Sequence, residues 1–426
     1  MKKYYFNKLS ESKRKSLLKR TAISSLEINK SVEKISADVK RNGVRSAIKY
    51  AKHFDGFSSA SIYVTEKEFN EAEKSLSLDT KSAIKSAYKN INKFHKQQYP
   101  KGYSLETSKG VKCVRRFIPI QNVGLYIPAG TAPLPSTMLM LGIPAKIAGC
   151  KRIVAASPAK DKIHHAILYA AKLCGIKEFV KIGGAHGISL LAYGDNNFRK
   201  VDKIFGPGNR YVTAAKSLVS VDAEGCAVDM IAGPSELLII ADNSANHDFI
   251  AADLLSQAEH GKDSVVVLLT TSEGLFSRVE HSLSSQIKNL PRQSLIKAAL
   301  KNSFCLIFDD IKNAFKFSND FAPEHLILNL KNVKKYLNKI VNAASVFIGE
   351  YAPESAGDYA SGTNHSLPTY GFARSSGGVC VEMFMKGMTF QSITKNGIKN
   401  LSKTIITLAE TESLQAHAEA VKVRLE

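Results

Sequence analysis

From about residue 121 onward, the chain sets short apolar runs between stretches whose apolar positions recur at helical spacing. The runs Val123–Ile127, Arg152–Ala156, Glu178–Ile182 and Val201–Phe205 predict strands, and Met138–Cys150, His164–Cys174 and Asn209–Val219 predict the helices between them. Strands that read as continuous hydrophobics, spaced by helices of roughly 10–15 residues, are the pattern of parallel βαβ units covered on both faces. The pattern repeats at Glu236–Ala241, Ser264–Thr270, Phe304–Phe308, Leu326–Leu330 and Ser345–Gly349, with helices expected near 247–260, 273–289 and 331–342. Residues 26–120 carry Lys- and Ser-rich helical spacing, as in Asp79–Ile84, and from about 382 the chain turns helical again, most continuously over 400–424.

The predicted fold class is α/β: two doubly wound, incomplete Rossmann-like parallel-sheet domains with small helical segments at either end. Residues 1–25 read as a basic helical arm. Residues 26–125 and 235–380 form one discontinuous α/β domain, 126–234 the second, and 381–426 a helical C-terminal domain. Ligands of doubly wound sheets sit beyond the carboxyl ends of the strands, so sites are expected there.

Composition narrows the classes. The chain has 426 residues, 44% of them hydrophobic and 23% charged, which excludes disordered, collagen-like and coiled-coil classes. No run approaches the ~20 apolar residues of a membrane span. Met1–Lys8 has the charge of a signal peptide without the apolar core, so a cytoplasmic protein is expected. The six cysteines form no Cys-x-x-Cys pair, which fits free thiols and excludes a thiolate zinc knuckle. As thiol nucleophiles, Cys150 closes an apolar helix and Cys113, although beside Arg115 and Arg116, has no nearby base; both read as structural. The net charge is +21, and residues 1–50 hold 14 basic against 4 acidic side chains. No helix-turn-helix, finger or RNP pattern accompanies that charge, so it reads as a solvated lysine surface, with neither a specific nucleic acid nor a membrane as partner.

Three glycine-bearing turns follow successive predicted strands: Tyr126–Gly130, Gly183-Gly184 and Gly206-Pro207-Gly208-Asn209. Backbone N–H groups at such strand-to-helix turns can hold a phosphate, although plain turn chemistry uses the same residues. Gln257 and His260 are three residues apart and project from one helix face. Asp358 and His365 lie in the polar segment 354–365. A mixed imidazole, carboxylate and amide set suits zinc or manganese; capping and surface roles are the alternative. Glu324-His325, just before a predicted strand, offers a carboxylate and an imidazole for proton transfer. Glu412 and His417 are roughly 140° apart on a regular helix and share no face by spacing.

In this order, the motifs resemble the histidinol dehydrogenase family. The matching stretches are Gly124–Pro128 with Thr131–Thr137, Phe205–Asn209, Ala232–Glu236, Asp253–Gly261, Pro323–His325, and 354–365 running through Leu367–Gly371. They span about 110 to the C-terminus. The resemblance implies oxidation of L-histidinol to L-histidine through the aldehyde, the last step of histidine biosynthesis, with two NAD reduced and one Zn2+ per subunit. It makes Gln257, His260, Asp358 and His417 the zinc ligands and Glu324 and His325 the acid/base pair. Ser235, Gln257, His260, His325, Asp358, His365, Glu412 and His417 are then the substrate contacts, and Tyr126, His186 and Asn209 the NAD contacts. It also implies a homodimer with shared sites, in which the C-terminal domain of one chain reaches the other, residues 126–234 as the NAD-binding domain, and 26–125 with 235–380 as the catalytic and metal domain. Three positions depart from the family pattern: His186 stands for a glutamine, Ala129 for a glycine and Ile231 for a proline. A relative using the same zinc and NAD on another alcohol, and a basic nucleic-acid-binding protein with a decayed site, are the competing readings.

Overall fold

Two parallel sheets and one small antiparallel sheet organise the chain in the computed structural model, which describes residues 1–20, 26–129, 132–230 and 233–426. The five-stranded sheet runs, edge to edge, Glu178–Val180, Arg152–Ala156, Asn122–Tyr126, Lys203–Phe205 and Ala227–Val228, all parallel. The six-stranded sheet runs Lys2–Tyr5, Phe304–Ile307, Val265–Thr270, Glu236–Ala241, His325–Asn329 and Ser345–Ile348, again all parallel. In strand Glu236–Ala241, Leu237 and Ile239 pack into the core on one face and Leu238 and Ile240 into the core on the other. That two-sided burial is why the strands read as unbroken hydrophobic runs.

The α/β class and the two doubly wound sheets are as expected, but the chain is divided between them differently. Residues 26–125 do not join the sheet of residues 236–348. Helix Leu26–Asp55 lays Val32, Ile35 and Val39 against the helix Gly184–Tyr193, and helices Glu66–Ser75 and Leu78–Lys96 cover the opposite face of the five-stranded sheet. Among the described residues the N-terminal arm is α-helical over Glu11–Leu18, after a 3-10 turn at Phe6–Lys8. Lys2–Tyr5 is an edge strand, in register with Phe304–Ile307, that completes the six-stranded sheet. Residues 21–25, part of the expected arm, lie outside the described residues.

Residues 103–119, read as helical, are two antiparallel strands, Tyr103–Ser108 and Val111–Pro119. The C-terminal segment opens as the strand Met385–Ile393, paired with Val111–Pro119 along its whole length. That partner is remote in sequence, so local spacing carried no sign of it. Past the strand come the expected helices, Lys395–Thr411 and Gln415–Lys422. The predicted helix at 331–342 is a 3-10 segment, Val333–Lys339, while Gly184–Tyr193 and Ile311–Phe321 are helices the pattern did not single out. Among the described residues no helix is long and apolar enough to cross a membrane.

Candidate active site

The six-stranded sheet reverses its strand order between Glu236–Ala241 and His325–Asn329. Candidate chemistry gathers at this switch point, but at the amino ends of the two strands, opposite to the expected carboxyl edge. The reason is the direction of the connecting elements. Helix His247–Ala258 runs back antiparallel to the strands and delivers Gln257, then His260 in the following turn, to the amino edge. Helix Glu354–Tyr359 brings Glu354 and Asp358 there after strand Ser345–Ile348, and Glu324 and His325 enter strand His325–Asn329 at the same edge. Ser235 lies beside them, its carbonyl accepting from the Val265 N–H at 3.2 Å.

His325 is buried, and its Nδ1 faces the Glu236 carbonyl at 3.2 Å. A carbonyl only accepts, so this contact puts the proton on Nδ1 and leaves Nε2 with its lone pair. Nε2 has no hydrogen-bond partner among the described residues and stands 3.9 Å from Asp358 Oδ1. Burial pulls the imidazole down to about 3, so it is neutral at physiological pH. Around its Nδ1 stand Glu354 Oε1 at 3.5 Å and Glu324 Oε2 at 3.6 Å, carboxylates placed to stabilise an imidazolium. Glu324 accepts the Glu236 N–H at 2.7 Å, and desolvation holds its carboxyl well above the usual range. His365 is fixed at both nitrogens, Nδ1 against the Asp358 carbonyl at 2.9 Å and Nε2 against Thr137 Oγ1 at 3.1 Å, and burial lowers it to about 4.

His260, Glu354 and Asp358 offer ligand atoms within 4.8 Å of one another. Gln257 is fully buried, yet neither its amide oxygen nor its nitrogen finds a partner among the described residues, and the same holds for both Glu354 oxygens. An unsatisfied buried polar group costs roughly 1–3 kcal/mol. Unsatisfied Glu354 oxygens inside a cluster with His260 and Asp358 are the arrangement of a ligand site. Oxygen and nitrogen donors with no sulfur fit zinc or manganese. Glu354 was not singled out from the sequence; only its position at the head of the polar segment 354–365 marked it.

At the five-stranded sheet the order reverses between Asn122–Tyr126 and Lys203–Phe205, and here the glycine turns do lie at the carboxyl edge. Gly206, at φ 121°, sits so close to the Tyr126 carbonyl that a Cβ would overlap it. The Tyr126 hydroxyl accepts the Gly184 N–H at 3.2 Å, linking the turns. Asn209 caps helix Arg210–Val221, its Oδ1 accepting from Tyr211 and Val212 N–H at 3.0 and 3.1 Å. His186 is buried beside Gly184, with Nε2 3.1 Å from Asp55 Oδ2. Gly130, Thr131, Ile231 and Ala232 lie outside the described residues.

A model described as histidinol dehydrogenase matches residues 18–425. The chain is 48% identical to histidinol dehydrogenase of Vibrio parahaemolyticus over 427 residues, covering all of this chain and 99% of the other. It is 49% identical over 422 residues to the enzyme of the same name from Campylobacter jejuni strain RM1221, covering 99% and 98%. A crystal structure of histidinol dehydrogenase from Elizabethkingia anophelis superposes with a TM-score of 0.94 at 46% identity, covering all of this chain and 98% of that one.

The chain belongs to the histidinol dehydrogenase family. It is thereby an oxidoreductase of histidine biosynthesis. Two residues that the family resemblance assigned to the site are not brought to it within one chain. Glu412 and His417 are exposed on the C-terminal helices, whose hydrogen bonds outside their own segment go to Lys109 and Gly110. Among the described residues, no hydrogen bond or ion pair joins 395–426 to the six-stranded sheet.

Proposed function

We propose that this chain oxidises L-histidinol to L-histidine through L-histidinal, reducing two NAD and holding one zinc ion per subunit. Gln257, His260 and Asp358 would hold the zinc, completed by His417 of a second copy of the chain in a homodimer that shares its sites. The observation that carries this reading is the His260–Glu354–Asp358 cluster, whose ligand atoms lie within 4.8 Å of one another one turn beyond the buried Gln257, an amide with no hydrogen-bond partner among the described residues. Leu408, Leu414 and Val423 are exposed on the C-terminal helices. Packing against a second copy would cover them and bring Glu412 and His417 to its site, which explains why one chain alone leaves both in solvent.

Zinc, when bound, supplies a Lewis acid that fixes the substrate's nitrogens, and NAD supplies the nicotinamide that accepts hydride. The chain's own residues move the protons. His325 takes the hydroxyl proton at Nε2, and the charge it gains is stabilised by Glu324, Glu354 and Asp358. Glu324, whose raised carboxyl makes it a stronger base once ionised, takes a proton from the water that adds to the aldehyde. Ser235, His365 and Glu412 of the second copy line the substrate. The dinucleotide lies across the turns at Tyr126, Gly184 and Gly206–Asn209, with Tyr126, His186 and Asn209 as its contacts. The expected compartment is the cytoplasm, in keeping with six free cysteines.

The test is NAD reduction by purified protein with L-histidinol, before and after chelation and after zinc restoration. Two NADH per histidinol, lost on chelation and regained with zinc, is the expected result. Turnover of a different alcohol but not histidinol would refute the substrate, and full activity after complete metal removal would refute the zinc.

A further inference from the structure

Glu236 connects the Glu324–His325 pair to the N-terminal arm. Its N–H donates to Glu324 Oε2 at 2.7 Å and its carbonyl faces His325 Nδ1 at 3.2 Å, so one peptide backbone fixes both members of the pair. The Glu236 side chain is held by Arg20: Nε donates to Oε1 at 2.9 Å and Nη2 to Oε2 at 3.0 Å, a two-pronged contact that lysine cannot reproduce. The Tyr370 N–H adds a third bond, to Oε1 at 3.2 Å. Both partners are nearly out of water, with side chains 10% and 3% exposed.

The same guanidinium grips the helix end that leads into the pair. Its Nη2 donates to the Phe321 carbonyl at 2.6 Å, its Nη1 to the Leu18 carbonyl at 2.9 Å, and its Cζ lies 3.4 Å from the Phe321 ring centroid. Phe321 ends helix Ile311–Phe321, and Ala322, at φ 50°, turns the chain sharply towards Glu324. A left-handed alanine is a strained position that its surroundings must hold. Arg20 therefore ties down the backbone on both sides of the Glu324–His325 pair without touching either side chain.

We propose that Arg20 is a positioning residue for the oxidation, acting through Glu236 to set the placement of Glu324 and His325; this rests on the assignment of that pair as the proton-transfer groups. It gives the basic N-terminal segment a part in the reaction that its surface charge alone does not indicate. Residues that orient catalytic groups from behind typically affect rates by about 10–100-fold, and small misplacements have effects of that size.

The test measures kcat and KM of zinc-loaded wild type, R20K, E324Q and R20K/E324Q with L-histidinol and NAD, together with zinc content and circular dichroism. R20K keeps the charge and loses the two-pronged contact. The expected result is a fall of about 10–100-fold in kcat, with KM for NAD within twofold, zinc content full and the spectrum unchanged. In the E324Q background the same substitution should cost clearly less than in the wild type, because one of the two groups it positions is already disabled. Wild-type kcat in folded R20K, or the same fold-loss in both backgrounds, overturns the proposal and leaves Arg20 a stabilising ion pair. If R20K does not fold, R20M/E236Q removes both buried charges together and takes its place, with the same loss expected and full activity again decisive against it. The wild type reports separately on the reaction: if it ignores histidinol, the substrate assignment falls, and the variant ratios are read on the alcohol it does oxidise.

Discussion

Lys216 and Asp229 form a pair with side chains 3% and 1% exposed, closed around the backbone of Gly206. Asp229 Oδ2 accepts the Gly206 N–H at 2.7 Å and its Oδ1 the Met230 N–H at 2.6 Å, while Lys216 Nζ donates to the Gly206 carbonyl at 2.8 Å and to Asp229. Replacing Lys216 by methionine keeps the chain length and removes the charge, leaving a carboxylate buried with only backbone donors. Breaking a buried pair in this way costs about 3–5 kcal/mol. At roughly 2–4 °C per kcal/mol for a unit of 150–250 residues, the melting temperature should fall by about 6–20 °C. Because the pair holds the turn proposed to carry the dinucleotide, KM for NAD should rise more than kcat falls. K216M/D229N removes both charges, keeps an oxygen acceptor for Gly206 N–H, and should recover most of the lost stability. Scanning calorimetry at pH 7 with and without NAD, alongside steady-state kinetics, reads all three. A K216M protein within about 1 kcal/mol of wild type would show that the charge is solvated or redundant, and the argument would fail.

Several further outcomes follow from the same geometry. Tyr126→Phe removes the acceptor of Gly184 N–H, worth about 0.5–1.5 kcal/mol, so NAD affinity should drop by about two- to tenfold with kcat little changed; unchanged affinity in a titration would refute the link between turns. Glu354→Ala should lower zinc affinity at least about tenfold by chelator competition, since its unpartnered oxygens belong to the cluster; undiminished affinity would remove Glu354 from it. His417→Ala should abolish activity with the fold intact, and mixing it with a Gln257→Ala variant should restore some activity through hybrid dimers carrying one intact site. His365 is held at about 4 when folded against an unfolded value near 6.5, so between those values the unfolded chain binds the extra proton. Stability is therefore full above about pH 6.5 and is lost as pH falls towards 4, by about 3 kcal/mol for this group. Urea unfolding of zinc-free protein from pH 4.5 to 7 should show a shallower slope in His365→Asn; identical slopes would exclude it.

The strands and helices around both sheets were legible because burial on two faces writes itself into sequence as unbroken apolar runs. Leu237 through Ile240 and Val266 through Leu269 left no alternative. What failed was whatever depended on a distant partner. Tyr103–Ser108 and Val111–Pro119 are largely exposed strands whose third partner, Met385–Ile393, arrives some 270 residues later, so nothing local distinguished them from helix. Residues 26–125 were assigned to the wrong sheet for the same reason: an amphipathic helix states that it packs, not on what. At the site, Glu324-His325 and Gln257/His260 could be picked out because each pair is close in sequence. Glu354 was hidden because an acidic residue in a polar loop looks solvated, and only the fold shows it buried without a partner.

The placement of the two candidate sites follows from how the sheets meet. Turns proposed for the dinucleotide at the carboxyl edge of one sheet and the proposed proton-transfer groups at the amino edge of the other would be useless to each other on a single continuous sheet, where the two edges are a strand length apart. Here contacts join those edges directly. Thr137, on the helix that follows strand Asn122–Tyr126, bonds His365; Asn364 donates to the Met140 carbonyl at 2.7 Å; and Arg210, the first residue past the Gly206–Asn209 turn, pairs with Asp263 at 3.2 Å, three residues beyond His260. Edge-to-edge contact would let one unit hold the proposed cofactor at the usual position in a doubly wound sheet while the other supplies the proposed metal ligands and the Glu324–His325 pair from its amino edge. The cost of that arrangement is that neither unit has the whole reaction: separating Arg210 from Asp263, by Asp263→Lys, should impair transfer between the sites while each still binds its own ligand. Zinc content and NAD affinity near wild type with kcat down about tenfold would support this division of labour. Loss of either ligand, or an unaltered kcat, would refute it.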